Sequence, residues 1–119
     1  MPLTKVRSGG VDYQQSTLVD TSNSGSVTLN FRNHSNFVLT FTGNVTLANP
    51  TTEKIGQTGV IVCIQDGPGD RTLTLGDQYQ TANGLGVTLS TAANATDIIP
   101  YIVKAEGSIL LGKIQKAFS

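Results

Sequence analysis

The groups able to do chemistry in this chain are few: Asp and Glu together number 8, and there is one His and one Cys. Asp66 and Asp70 stand closest together in a glycine-rich loop, Asp66-Gly67-Pro68-Gly69-Asp70. Carboxylates combined with backbone carbonyls are the donor set of a calcium site. The loop lacks the alternating acidic ligands and closing Glu of an EF-hand, so solvated turn residues are the default reading. His34 lies in a polar turn, Asn33-His34-Ser35-Asn36, with no second histidine to share a metal, and reads as an exposed imidazole. Cys63 sits inside Val60-Ile61-Val62-Cys63-Ile64, where a lone thiol behaves as a small buried hydrophobe. The remaining carboxylates are scattered, and no G-x-S-x-G, P-loop or G-x-G-x-x-G motif is present. The expectation is a protein that is not an enzyme, with no cofactor, no metal and no small-molecule substrate.

Composition narrows the partners. The 119 residues carry 8 Lys+Arg against 8 Asp+Glu, and charged residues make up 13%, about half the usual share. Binding to a phosphate backbone needs a basic excess that releases counterions, so nucleic acid is not an expected partner. The apolar runs fall far short of the ~20 residues that a bilayer demands, and Met1-Pro2-Leu3-Thr4-Lys5-Val6-Arg7 has no signal-like apolar stretch. A membrane is therefore not expected either. The triplets Asn33-His34-Ser35, Asn44-Val45-Thr46 and Asn94-Ala95-Thr96 match the glycosylation pattern, as a chain rich in Asn and Thr does by chance.

The elements that would position these groups are strands. Hydrophobic residues make up 38% and aromatic ones 6%, so the core must be built mainly from Val, Ile and Leu. Val27, Leu29 and Phe31 alternate with polar neighbours, as do Phe37, Leu39 and Phe41, and then Val45 and Leu47. Gly43-Asn44 between the last two runs predicts a tight hairpin. Further strands are expected over 59–65, 72–75, 86–90, 98–105 and 108–114, with Glu106-Gly107 closing a hairpin. The triplet Val-Thr-Leu recurs at 27–29, 45–47 and 87–89 with unequal spacing, which reads as one strand recipe reused and not as a solenoid period. Residues 48–59 lack alternation and form the longest connection. Together these predict an all-β protein, a β-sandwich or jelly-roll-like domain over residues 26–119, preceded by an extended N-terminal arm over residues 1–25.

Three stretches carry a family likeness: residues 37–50; Gly56-Gln57-Thr58-Gly59 running through a strand to Gln65-Asp66-Gly67 and Arg71-Thr72-Leu73-Thr74; and residues 89–97 before the closing strand pair. In that order they resemble small β-domains of tailed-bacteriophage virion proteins, found as capsid decoration (cement) proteins and in tail-fibre proteins. The likeness spans about residues 31–118. It departs in lacking the Trp such domains often place after the Arg-Thr-Leu strand, where Leu75, Gly76 and Tyr79 stand. The resemblance implies a virion structural protein assembled in the host cytoplasm. A chain that is nearly all one domain, without shaft or coiled coil, favours a decoration protein on the outer surface of the capsid. Its expected partners are the major capsid protein and itself, as a homotrimer, with Val6, Arg7 and Tyr13 of the arm as capsid contacts. The alternative is a tail-fibre, tail-associated or receptor-binding subunit whose loop at residues 76–86 touches a host glycan.

Overall fold

Phe37, Leu39 and Phe41 point one way and Val38 and Thr40 the other, because side chains alternate across a pleated strand, and this strand becomes the centre of the molecule. In the computed structural model, which describes residues 16–118, the elements run β1 (Thr17–Val27), β2 (Asn36–Leu47), β3 (Thr58–Gln65), β4 (Leu73–Leu75), β5 (Tyr79–Gln80), a 3-10 turn (Ala82–Gly84), β6 (Thr96–Ala105), β7 (Ser108–Leu111) and β8 (Gln115–Phe118). The all-β expectation holds. The strands share one hydrogen-bonded sheet in the order β1-β2-β3-β6-β7-β5, with β4 also on β2 and β8 also on β6.

β1, β2 and β3 are parallel, and β4 is parallel to the second half of β2. Parallel neighbours usually need a helical crossover. Here the crossovers at 28–35 and 48–57 contain no helix, so the strands themselves must curl and bring the chain back beside itself. Of the recurring triplets only Val45-Thr46-Leu47 stacks, between Gly25-Ser26-Val27 and Leu73-Thr74-Leu75: Val27 pairs with Leu47 and Leu47 with Leu75, while Ser26, Thr46 and Thr74 form the next column. β6 then runs antiparallel to β3, and β7 returns from it through Glu106-Gly107, where Gly107 takes the positive φ (77°) that the turn requires.

The curl encloses Leu29, Phe31, Phe37, Leu39, Phe41, Leu47, Ile61, Ile99, Val103 and Ile109, all essentially removed from solvent. Phe31 packs edge-on against Phe37 and Tyr101, with ring centroids 5.2 and 5.4 Å away.

Four local expectations change. The alternation at Val27, Leu29 and Phe31 leaves the sheet after Val27, and Leu29 and Phe31 are buried from the crossover instead. Gly43-Asn44 makes no hairpin, since β2 runs straight through it; Gly43 is needed because a Cβ there would lie 2.8 Å from the Ser24 Cβ of β1. Residues 86–90 form no strand, because their backbone is tied to side chains and not to a ladder. Finally, β1 passes across the boundary expected at residue 25, so residues 17–25 lie in the sheet. Its irregular stretch between Asp20 and Gly25 is held by buried Asn23, whose amide donates to the Asp20 and Thr40 carbonyls at 3.0 and 3.1 Å. Val6, Arg7 and Tyr13 lie outside the described residues.

Candidate functional site

The acidic loop after β3 is built around an ion pair. Arg71 donates from Nε and Nη2 to the two carboxylate oxygens of Asp66 at 3.1 and 2.9 Å, and the Gly69 amide donates to the same carboxylate at 3.1 Å. The Arg71 hydrogen bonds, followed by that from Gly69, hold the Asp66 carboxyl below its ordinary range. Both oxygens are thus engaged, and among the described residues no three His, Cys, Asp or Glu side chains come together where they could hold a metal. Asp70 takes a left-handed backbone (φ 61°), and its amide donates to the Thr91 carbonyl at 2.9 Å. The loop is a guanidinium-stapled turn.

His34 ties the start of β1 to the following loop: its Nδ1 lies 3.0 Å from the Ser16 hydroxyl, and the Ser35 and Asn36 amides donate to the Ser16 carbonyl. Among the described residues no carboxylate bonds the imidazole. Cys63 faces the core opposite Asp97, and burial, followed by that carboxylate, pushes its thiol up to about 12. It is inert packing at neutral pH.

Two inward polar side chains went unnoticed in the sequence. Gln65 is buried and fully bonded: its amide donates to the Arg71 and Ser90 carbonyls at 2.8 and 2.9 Å and accepts from the Arg71 amide at 2.9 Å. Asp97, 2% exposed, accepts from the Ser90 and Ala117 amides at 2.7 and 2.8 Å. The signal was strand parity. Gln65 and Asp97 fall on the same phase as Ile61 and Ile99, and that phase points inward.

The opposite phase exposes a different surface. Val19, Val38, Val62 and Ile98 are register partners in one row across β1, β2, β3 and β6. Thr40, Ile64, Thr96 and Phe118 make a second row, Val60 pairs with Pro100, and Thr58, Ile102 and Leu110 make another. None of these side chains is charged. Val38, Val60, Val62, Ile64 and Ile98 are half-buried, while Val19, Ile102 and Phe118 are exposed. A sheet face that meets water is ordinarily polar, so an aliphatic face of this size marks a contact surface.

The third feature is the loop end around β5. Asn49 fastens the connection after β2 to it, donating to Asp77 at 2.6 Å and accepting from the Gln78 amide at 3.0 Å. On one side of β5 an open cleft of about 780 Å³ runs past Thr74, Tyr79, Gln80 and Val87 beneath the tip at Leu85, which is 83% exposed. This is the loop at residues 76–86 that the sequence marked as a glycan-facing candidate. On the other side is a polar cleft of about 410 Å³ between Pro50, Thr51, Glu53, Gln78, Glu106 and Gly107.

Comparison with known families gives a match over most of the chain. Residues 17–108 fit the family described as "Putative phage tail fibre C-terminal domain". The searches of curated proteins and of solved structures return no match. The matched span begins at β1 and stops at the first residue of β7, so it takes in the sheet through β6 together with the loop end. It supports a phage virion protein, and of the two roles expected from the sequence it fits the tail-fibre alternative better than capsid decoration.

Proposed function

The chain belongs to the family of phage tail fibre C-terminal domains, and from that premise we propose that it is a structural subunit of the tail fibre: a homo-oligomer whose copies meet through the outer face of the curled sheet and whose β5 loop end faces the host. The homotrimer expected from the sequence is the state proposed. The role is mechanical and turns over no substrate.

The observation that carries this reading is the aliphatic outer face, whose paired rows bear no charge and whose β6 strand carries Lys104 only at its end. A row such as Val19, Val38, Val62 and Ile98 lies flat across four strands and offers no carboxylate or ammonium to a foreign partner. Further copies of the same surface suit it, since three such faces converge on a threefold axis with their uncharged rows innermost. The net charge of zero adds no long-range repulsion between copies.

Copy number in purified particles tests the role. Quantitative mass spectrometry against the major capsid protein is expected to find a handful of copies per particle, and immunogold labelling is expected at the tail. Hundreds of copies spread over the head would overturn the tail assignment.

A further inference from the structure

The sheet has two margins with no strand beyond them among the described residues: β1, which pairs only with β2, and β8, which pairs only with β6. The Ser16 carbonyl accepts from the Ser35 and Asn36 amides, so alternation turns the N–H and C=O groups of Thr17 and Val19 away from β2. A strand edge left open in this way is a template for another strand.

Direction, height and charge identify the strand that fits. β1, β2 and β3 are parallel, β6 reverses and β8 reverses again, so the two margins run the same way. They also stand level. Asp20, Leu39, Cys63 and Asp97 are register partners in one row, and on the far side of β6 Lys116 and Ala117 stand opposite Asp97, between the pairs Ile98–Gln115 and Thr96–Phe118. Asp20 is the one charged residue of β1 and Lys116 that of β8; both are exposed, and neither has an ion pair among the described residues. Within one copy the margins are four strand spacings apart, roughly 19 Å along the sheet at about 4.8 Å each. A rotation about an axis parallel to the strands preserves both direction and height. It lays β8 of one copy beside β1 of the next with Lys116 opposite Asp20, and three such steps close a ring instead of growing a filament.

We propose that the protomers are joined by strand seams, β8 of one copy adding in parallel to the free edge of β1 of the next, with the Lys116 ammonium against the Asp20 carboxylate. Val19 and Gln115 lie in the outer-face row of Ile98, so by alternation Asp20 and Lys116 point to the opposite face and leave the aliphatic rows uncharged. The inference rests on the homo-oligomer of the tail-fibre reading and names the contact through which one copy engages the next.

Cysteine cross-linking of the full-length chain tests it. Opposed residues of neighbouring strands have Cα atoms about 4.8 Å apart, inside the disulfide range of roughly 4.4–6.8 Å. The double variant Asp20→Cys/Lys116→Cys is therefore expected to give a three-chain band on a non-reducing denaturing gel, which reduction returns to a single chain. Each single variant is expected to stay one chain, since Cys63 is buried. A two-chain band from Asp20→Cys alone would mean that β1 pairs with β1 around a twofold axis and would overturn the proposal, as would a double variant that forms no bond between copies. Charge exchange tests the seam without cysteine. Asp20→Lys and Lys116→Asp each set like charges against one another at every seam, and each is expected to weaken association in sedimentation velocity by about tenfold at low salt, with circular dichroism melting unchanged. Combining the two exchanges is expected to recover it. A combined variant that associates no better than either single one refutes the pairing. If the parent sediments as an oligomer while the cysteine pair stays unlinked, the seam fails and the outer-face contact stands; a monomeric parent removes both.

Discussion

Val62→Lys separates folding from assembly. Val62 stands mid-row between Val38 and Ile98, with its outward side half-buried by its neighbours alone. In a lone protomer the lysine stem can lie on those methyl groups while the ammonium stays in water, so unfolding stability falls by only about 0.5–1 kcal/mol. Against a second copy the position loses the burial of a valine, worth about 1.5–3 kcal/mol when complete. It also places an ammonium in a layer whose rows offer no carboxylate, a penalty of several kcal/mol. The sum is about 4 kcal/mol or more per protomer, or association weaker by about a thousandfold. Sedimentation velocity should therefore show dissociation at concentrations where the parent is oligomeric, with circular dichroism melting nearly unchanged. Thr28→Lys, at an exposed site off this face, should leave both readings as they are. The reasoning is refuted if the Val62→Lys chain sediments like its parent, or if the parent is itself monomeric at roughly 100 μM, where standard-size interfaces are occupied.

Gln65→Leu removes the partners of the Arg71 amide and of the Arg71 and Ser90 carbonyls; the expected loss is about 2–4 kcal/mol, or roughly 8–16 °C in Tm, and a loss below about 1 kcal/mol in urea unfolding contradicts the assigned role. Asp66 has a folded-state pKa below its ordinary 3.8, so its contribution is complete above that value and disappears as pH falls through the lower folded-state pKa. Asp66→Asn should accordingly flatten the acid limb of a melting curve followed from about pH 6 to about pH 2, and an unchanged limb would assign the acid sensitivity elsewhere. Cys63, with its thiol at about 12 and its side chain buried, should stay unlabelled by a thiol reagent at neutral pH until urea unfolds the chain; stoichiometric labelling of the native protein would contradict that packing.

Much of the sheet was legible because its causes are local. The alternation over 37–41, the run at 59–65 and the hairpin at Glu106-Gly107 depend on side-chain parity and on one glycine, and they appear where that parity placed them. Misreadings arose where a residue serves a distant neighbour. Gly43 signalled a turn, yet it is small because Ser24 of the adjoining strand passes over it. Residues 20–25 read as the end of an arm, yet Asn23 reaches across to the Thr40 carbonyl and they are part of β1.

The same division governs function. The amino-acid order alone determined an all-β molecule of zero net charge with a phage-virion likeness, because composition and period two are properties of short windows. Only the tertiary structure decided which aliphatic residues share a plane, since register puts Val19 beside Val38 and Val62 beside Ile98. It also brought Glu53, Gln78 and Gly107 to one cleft. Contacts between residues far apart along the chain are set by how the sheet curls around its core, and no local window holds that information.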